Sequence, residues 1–252
     1  MNHVLETPAS TFITAVKEAA KFTGKDGRPI LEMVAISATE GRGFAVATDS
    51  YKLLAADIGP AEHTEGAFPV VLFHKKDIRA VTDAASTSQT VRIEYQEGGN
   101  PSVNGVKFQS ADIEPLKWRQ LIPGEEPVTI AYDQPTLTSL VKSHKDLGHD
   151  LKLTFVSTDE ATELIVQGTE VEFTDKHASW FETTEPVVIC VAAQHLMPAV
   201  KVTGGALIEC HGQLKPMVLR GDHRLALVMP IRLAEGSVLG ALQADIERRR
   251  AV

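Results

Sequence analysis

The chain has 252 residues, 43% of them hydrophobic, which is enough for one large core or for two domains. No run approaches the roughly 20 consecutive apolar residues of a membrane-spanning helix, so we expect no membrane partner. The net charge of −8 argues against a uniformly basic nucleic-acid coat, although a basic inner surface is compatible with an acidic total.

The N-terminal residues lack a charged start followed by an apolar stretch, so the sequence predicts no secretory signal. Cys190 and Cys210 both lie in apolar, β-like runs. We therefore expect two buried free thiols, rather than a disulfide or a reactive site, in a cytoplasmic protein.

The first half of the chain predicts helix, strands, helix and strands, in that order. Phe12 and Val16 recur at helical spacing and predict a helix over residues 10–22, with Ser10 or Thr11 as its cap. The remaining predicted elements are strands over 30–38, 44–47, 53–58, 91–95 and 103–110, a hairpin turn over 40–43 and a helix over 74–85.

The stretch 113–127 contains three prolines and no sustained period, which predicts an exposed connector and a domain boundary at Pro123. The same order of elements then begins again. The predicted elements are helices over 134–145 and 192–202 and strands over 151–156, 163–168, 171–174 and 207–210.

A repeat of about 120 residues indicates a duplicated domain. We predict domains over 1–123 and 124–233 and a helical tail over 234–252, where Val238, Leu239, Leu242 and Ile246 form an apolar stripe. Short strand connections predict antiparallel sheets, so the fold class is α+β.

Two stretches combine apolar residues with a few directed polar groups, the composition of a peptide-binding groove. Residues 44–57 alternate as a strand pair would and contain the turn-forming trio Thr48-Asp49-Ser50. Residues 227–233 are apolar, and Pro230 restricts this segment to a strand end or a sheet edge.

These stretches resemble the bacterial sliding clamp, the β subunit of the replicative polymerase, in its second and third domains. Ala47-Thr-Asp-Ser-Tyr-Lys-Leu53 is similar to the family's Ala-Thr-Asp-Gly-His-Arg-Leu, and Val228-Met-Pro-Ile-Arg-Leu233 to its Val-Met-Pro-Met-Arg-Leu. Leu116-Lys-Trp-Arg-Gln-Leu-Ile-Pro123 is similar to its interdomain Phe-Pro-Asp-Tyr-Arg-Arg-Val-Leu-Pro. The resemblance spans about residues 7–233; the family's first domain has no counterpart, and the tail lies beyond the match.

The resemblance implies a non-enzymatic ring with antiparallel sheets outside and helices lining a channel around duplex DNA. It also implies partnership with a replicative polymerase and an ATP-driven clamp loader, and no cofactor. Twelve helices about 10 Å apart leave a hole of roughly 28 Å, whereas eight leave about 15 Å. A duplex is roughly 20 Å across. Two domains per chain therefore favour a head-to-tail homotrimer over a dimer, with sheet edges near 106–110 and 171–174 pairing between chains.

The resemblance also implies a partner-binding pocket that draws residues from both domains. Its members are Leu31, Thr48, Ser50, Tyr51, Lys52, Leu53, Pro123, Leu227, Met229, Pro230, Ile231, Arg232 and Leu233. The apolar members would bind side chains of an extended peptide, and Lys52 and Arg232 would meet polar groups at the rim. An ordinary interdomain core is the alternative interpretation for the leucines and Met229.

Basic residues on the predicted helices lie opposite the apolar faces and are candidates for non-specific phosphate contacts. They are Lys17, Lys21, Lys75, Lys76, Arg79, Lys142, Lys145 and Lys201. A merely solvated helix face is the alternative.

An enzyme and a clamp-fold peptide-binding scaffold without DNA encirclement are the rival functions. His144, His149 and Asp150, or Asp222 and His223, are the candidate metal ligands or general bases. Their spacing matches no usual zinc pattern, so we expect exposed loop histidines and no metal site.

Overall fold

The structure is a computed structural model that describes residues 2–25, 27–63, 68–109, 111, 113–144, 146, 150–168, 172–175, 178–234 and 236–250. The chain divides into two compact units. The first consists of Met1–Lys117 with His223–Leu225, and the second of Trp118–Asp222 with Ala226–Val252.

The first unit packs helices α1 and α2 with two antiparallel sheets. Its elements are β1 (Asn2–Pro8), α1 (Ala9–Ala19), β2 (Met33–Thr39), β3 (Arg42–Thr48), β4 (Lys52–Pro60), β5 (Glu62–His63), β6 (Val71–His74), α2 (Ile78–Ala85), β7 (Thr90–Gln96), β8 (Ser102–Val103) and β9 (Val106–Lys107). One sheet has the strand order β5-β1-β7-β8-β9, and the other contains β4-β3-β2-β6. Single 3-10 turns cover Ala20–Phe22, Pro29–Glu32 and Lys75–Asp77.

The second unit repeats this order element for element and adds one helix. Its elements are β10 (Val128–Tyr132), α3 (Gln134–Ser143), β11 (Lys152–Ser157), β12 (Thr162–Gln167), β13 (Glu172–Asp175), β14 (Phe181–Thr183), β15 (Val187–Ala192), α4 (Ala193–Thr203), β16 (Leu207–Cys210), β17 (Met217–Gly221), β18 (Arg224–Val228) and α5 (Val238–Arg250). A 3-10 turn over Trp118–Leu121 precedes them. The strand orders β14-β10-β16-β17-β18 and β13-β12-β11-β15 reproduce those of the first unit, which confirms the predicted duplication and the α+β class.

Alternating side chains explain how the sheets of both units build their cores. On β2, Val34 and Ile36 are fully buried, as are Leu153 and Phe155 at the corresponding positions of β11. Because successive side chains of a strand point to opposite faces, each strand gives one face to its core. Helix α1 covers the core of the first unit with an apolar stripe that includes Phe12.

Three local predictions were wrong. Neither Ser10 nor Thr11 caps α1, which begins at Ala9 after Pro8; the Thr11 hydroxyl instead donates to the carbonyl of Ile58 at 2.6 Å. The strand predicted over 103–110 is interrupted by a two-residue turn at Asn104 and Gly105, whose φ angles are 47° and 83°. Both angles suit the turn that joins two twisted antiparallel strands. The helix predicted over 74–85 begins with a 3-10 turn and is α-helical only from Ile78.

Three other predictions are confirmed, for the two cysteines, the tail and Pro230. Cys190 and Cys210 are buried free thiols. The apolar stripe of the tail forms helix α5, and β18 ends before Pro230. Among the described helices, none has the length and apolar character needed to cross a membrane.

Candidate peptide-binding and nucleic-acid surfaces

The turn between β3 and β4 in the first unit is held by a dense set of hydrogen bonds. Asp49 accepts through Oδ1 from the amides of Tyr51 (2.9 Å) and Lys52 (2.8 Å), and its other oxygen pairs with the Lys52 ammonium. The Thr48 hydroxyl donates to the Lys52 carbonyl at 2.8 Å and accepts from the Ser50 amide at 3.1 Å. The turn therefore has one defined conformation, with its polar atoms largely satisfied from within.

Ser50 occupies the left-handed backbone region at φ 79°. A side chain other than glycine costs free energy there because its Cβ approaches the backbone. The family sequence has glycine at this position, so this chain keeps the turn with a strained serine.

The turn presents some predicted pocket residues to solvent and buries others. The Tyr51 side chain is 58% exposed, whereas Leu53 and Leu31 are 2% and 5% exposed and belong to the core of the first unit. The Lys52 ammonium lies 5.8 Å from the centre of the Phe22 ring, within cation–π range. Tyr51 and Ser50 are thus the exposed residues at this turn.

The second unit contributes the segment that follows β18. The Ile231 amide donates to the Cys190 carbonyl at 2.7 Å, which fastens the segment to β15 as an isolated antiparallel bridge. Leu227 is buried and Leu233 packs against a cluster around Val156, whereas Met229 and Arg232 are exposed. The half-buried Pro230 follows Met229 and keeps this part of the segment out of the strand.

Pro123 is half-buried just after the 3-10 turn of the connector. In that turn the Arg119 guanidinium lies 4.4 Å from the centre of the Trp118 ring, a stacking distance. The described part of the connector therefore contains an ordered turn. The partner-binding role of the residues in both units remains a prediction.

The helices display most of the predicted DNA-contacting residues on their exposed sides. The exposed ones are Lys17, Lys21, Lys76, Arg79, Lys142 and Lys201. Among the described residues, Arg79 alone of these six forms an ion pair, a 3.9 Å contact with Asp83. The other five keep their charge available to an external anion.

The other two predicted DNA-contacting residues differ from these six. Lys75 donates to the Gly24 carbonyl at 2.6 Å and lies 3.4 Å from the Glu32 carboxylate, so it also stabilises the first unit. Lys145 lies outside the described residues.

Two histidines of the enzyme hypothesis are described: His144, at the end of α3, and His223, whose side chain is 63% exposed with Nδ1 3.9 Å from Asp57 Oδ2. His144 Nδ1 lies 2.9 Å from the Leu140 carbonyl, and its ring packs against Phe173 at 4.6 Å between centres. His149 lies outside the described residues. Within the described part of the chain, no group of three His, Cys, Asp or Glu side chains is placed to hold a metal ion.

Comparison with solved structures identifies the architecture. The DNA polymerase III β subunit of Thermotoga maritima superposes with a TM-score of 0.75 at 19% identity, covering 92% of this chain and 66% of that one. This chain has the sliding-clamp fold. The sliding clamp of Bacillus subtilis gives 0.74 at 17% identity (92% and 64% covered), and the β sliding clamp of Caulobacter crescentus 0.74 at 17% (91% and 65%).

The resemblance found in three short stretches is thereby confirmed for the fold. The chain spans about two thirds of the length of these clamps. No family model matches the sequence, and the comparison with curated proteins finds no relative. The sliding-clamp fold is therefore established by the tertiary structure rather than by overall sequence similarity.

Proposed function

We propose that this protein is a sliding clamp, a non-enzymatic processivity factor that encircles duplex DNA and tethers a replicative polymerase. The observation that carries the proposal is the duplicated clamp fold, with basic side chains exposed along the helices of both units. Exposed lysines that form no ion pair with any described residue suit contacts to phosphates, which are independent of base sequence and permit sliding.

The proposed assembly is a head-to-tail homotrimer. Each unit contains one helix pair, α1 with α2 and α3 with α4, so three chains would supply the twelve helices that the channel estimate requires. Such an interface joins different surfaces of successive chains and closes by rotation. Light scattering after size exclusion at several concentrations tests the assembly; a dimer would contradict the helix count.

We further propose that polymerase and clamp loader bind through short apolar peptides. The exposed candidates are Tyr51 in the first unit and Met229 and Arg232 in the second. Tyrosine, methionine and arginine are enriched in protein interfaces. The cytoplasmic location expected from the sequence also remains a prediction.

Encirclement is tested by topology rather than by affinity. The protein is mixed with a nicked circular plasmid, and its subunits are cross-linked to one another but not to the DNA. The complex is then washed at about 1 M salt, where phosphate contacts are largely screened. A closed ring stays on the circle and is released when one restriction cut linearises it. Equal loss from circular and linear DNA would contradict encirclement; a persistent monomer that still binds clamp-binding peptides would favour the scaffold function.

Charge reversal then tests the inner surface. Lys17→Glu with Lys21→Glu should weaken duplex binding and reduce the steepness of its salt dependence by about one unit per lost contact. Lys25→Glu with Lys152→Glu is the control, because it changes the net charge equally and both lysines are exposed outside the helices. An equal effect of the control would show that total charge, rather than the helix surface, governs binding.

A further inference from the structure

A groove of about 640 Å³ lies in the second unit between α5 and the hairpin that joins β11 to β12. Its apolar lining includes Val156, Pro186, Leu239 and Leu242. Val238, at the start of α5, is 84% exposed beside it. The groove is thus an apolar surface that remains open in this unit.

Helix α5 is a fixed wall of this groove because its other contacts anchor it. Ile246 is 9% exposed and packs with Val156, Ile165 and Val188 of the underlying sheet. The Gln213 amide donates to Glu247 Oε1 at 3.3 Å near the end of the helix. Both contacts position α5 while leaving the side towards the hairpin uncovered.

The first turn of α5 is fixed in the same way. The Ser237 hydroxyl accepts from the Gly240 amide at 3.0 Å and donates to the Ala234 carbonyl at 2.7 Å. Gly240 lies so close to the Ala234 carbonyl that a β-carbon would collide with it. The start of the helix, where Val238 lies, therefore has little freedom to close over the groove.

The rim of the groove is acidic. Its lining contains four carboxylates, from Asp159, Glu160, Glu163 and Asp245, against one guanidinium, from Arg249, which gives a net charge of −3. Asp245 already pairs with Arg249 at 2.6 Å and with Arg248, which is outside the lining, at 3.5 Å. The three remaining carboxylates form no ion pair with any described residue, so they favour a basic occupant.

Hydrogen bonds fix the backbone at the tip of the hairpin, which carries Asp159 and Glu160. The Thr158 hydroxyl accepts from the amides of Glu160 (3.2 Å) and Ala161 (3.1 Å), and the Thr158 amide donates to the Ala161 carbonyl at 2.9 Å. The backbone of this part of the rim is thus defined, and an occupant would not have to order it on binding.

We propose that this groove binds a short peptide of a partner protein that carries apolar side chains flanked by lysine or arginine. Apolar side chains would cover Val238, Leu239 and Leu242, and the basic groups would neutralise the rim. Complementary charge of this kind governs partner choice and association rate. The acidic rim disfavours nucleic acid, whose phosphates it repels. The proposal is independent of the clamp function, because it uses none of the residues assigned to that function.

The test is a selection from a random 12-residue peptide library on the full chain, followed by binding measurements on the Glu160→Lys/Glu163→Lys double variant. We expect enriched peptides to combine apolar residues with lysine or arginine. Synthetic copies should bind the double variant at least about tenfold more weakly than the unchanged chain. Glu126→Lys/Glu182→Lys is the matched control, since it changes the net charge equally and both residues are exposed outside the groove; it should change binding less than about twofold.

Val238→Asn tests the apolar part of the site without changing the charge and should weaken binding about threefold or more. Enrichment of peptides that lack basic residues, or equal weakening by Glu126→Lys/Glu182→Lys, would overturn the proposal. So would a failure of every enriched peptide to distinguish the double variant. Self-association of the chain that disappears in the double variant would assign the groove to a second copy and overturn it as well.

Peptides that bind the double variant normally but are lost in Tyr51→Ala or Met229→Ala would belong to the proposed clamp site. That pattern would contradict the groove without contradicting the clamp function. Conversely, failure of the plasmid experiment would leave the groove result unaffected.

Discussion

The two units have one topology but bury their apolar surface in different places. Helix α1 has five buried residues, whereas the corresponding α3 buries only Leu137. Strand β4 has nine residues that are mostly buried, whereas the corresponding β13 has four, and its Phe173 is 40% exposed. The same topology therefore does not require the same amount of helix packing. Each unit builds its core from a different set of buried helix and strand residues.

On the outward face of one sheet, the second unit buries apolar surface that the first unit does not have. Ile36 of β2 pairs with Val71, and Phe155 of β11 pairs with Ile189, so Ile36 and Phe155 occupy corresponding positions. The next residues, Ser37 and Val156, therefore point to the opposite face of the sheet, away from the core. Ser37 carries a hydroxyl there, whereas Val156 carries an apolar side chain that α5 covers. Helix α5 thus covers an apolar side chain in the second unit, at a position where the first unit has a serine.

The largest expected effect comes from breaking that cover. Ile246→Asp should lower the free energy of unfolding of the second unit by about 3 kcal/mol, because it places an unpaired charge against an apolar cluster. Hydrogen exchange should speed up in β11, β12 and β15 but not in β2, β3 and β6. Val238→Asp, at an exposed position of the same helix, should leave exchange unchanged; an equal effect would show that α5 does not contribute through packing.

The helix comparison can be tested with one substitution made twice. Val16 of α1 and Val141 of α3 occupy corresponding positions, but Val16 is fully buried and Val141 only half-buried. Val16→Ala should cost about 2 kcal/mol through the cavity it leaves, and Val141→Ala less than about 1 kcal/mol. Urea unfolding of the two variants measures both. Equal costs would contradict the difference in packing between the two helices.

Serine and glycine can be exchanged at two positions with left-handed backbone, Ser50 in the first unit and Gly204 in the second. Ser50→Gly should stabilise the first unit by about 1 kcal/mol, because glycine adopts φ 79° without a Cβ penalty. Gly204→Ser, at φ 61° after α4, should destabilise the second unit by a similar amount, since a β-carbon there meets no other atom and only backbone strain changes. Thermal unfolding measures both effects. Changes of the melting temperature in the same direction would contradict the assignment of backbone strain to these two positions.

The smallest expected effect is a pH dependence of the second unit. Burial lowers the pKa of His211, outweighing the attraction of Glu209 and Glu125, while Lys215 adds to the lowering. The unfolded state therefore binds the proton more readily, so stability is complete above about pH 6.5 and is lost as pH falls below it. His211→Asn should reduce the fall in melting temperature between pH 7 and pH 5. An unchanged fall would assign it to other groups.

Local structure could largely be predicted from the residues themselves. Helical spacing at Phe12 and Val16 predicted α1, and alternation predicted β2, β3, β11 and β12, because side-chain period follows backbone geometry. The Asn104-Gly105 dipeptide is itself a strong hairpin signal, so the uninterrupted strand predicted there neglected information that the sequence contained.

Strand β1 could not be found in this way. Its pairing joins Asn2 to Gln96 and Pro8 to Thr90, and contacts between residues so far apart leave no local pattern. The same limit applies to the candidate site. The resemblance implied a pocket that includes Tyr51, Leu53, Leu227 and Met229, but the sequence could not tell that the fold buries both leucines and leaves the other two exposed.

By itself, the sequence determined the duplication, the α+β class and the stretches that resemble a sliding clamp, because periodicity and turn chemistry act over a few residues. Only the tertiary structure decided which apolar residues enter a core and where α5 packs. Burial depends on what the other elements cover, and Val156 and Ile246, ninety residues apart, meet only after the sheet has formed. The groove beside α5 results from that packing, so no local sequence pattern could predict it.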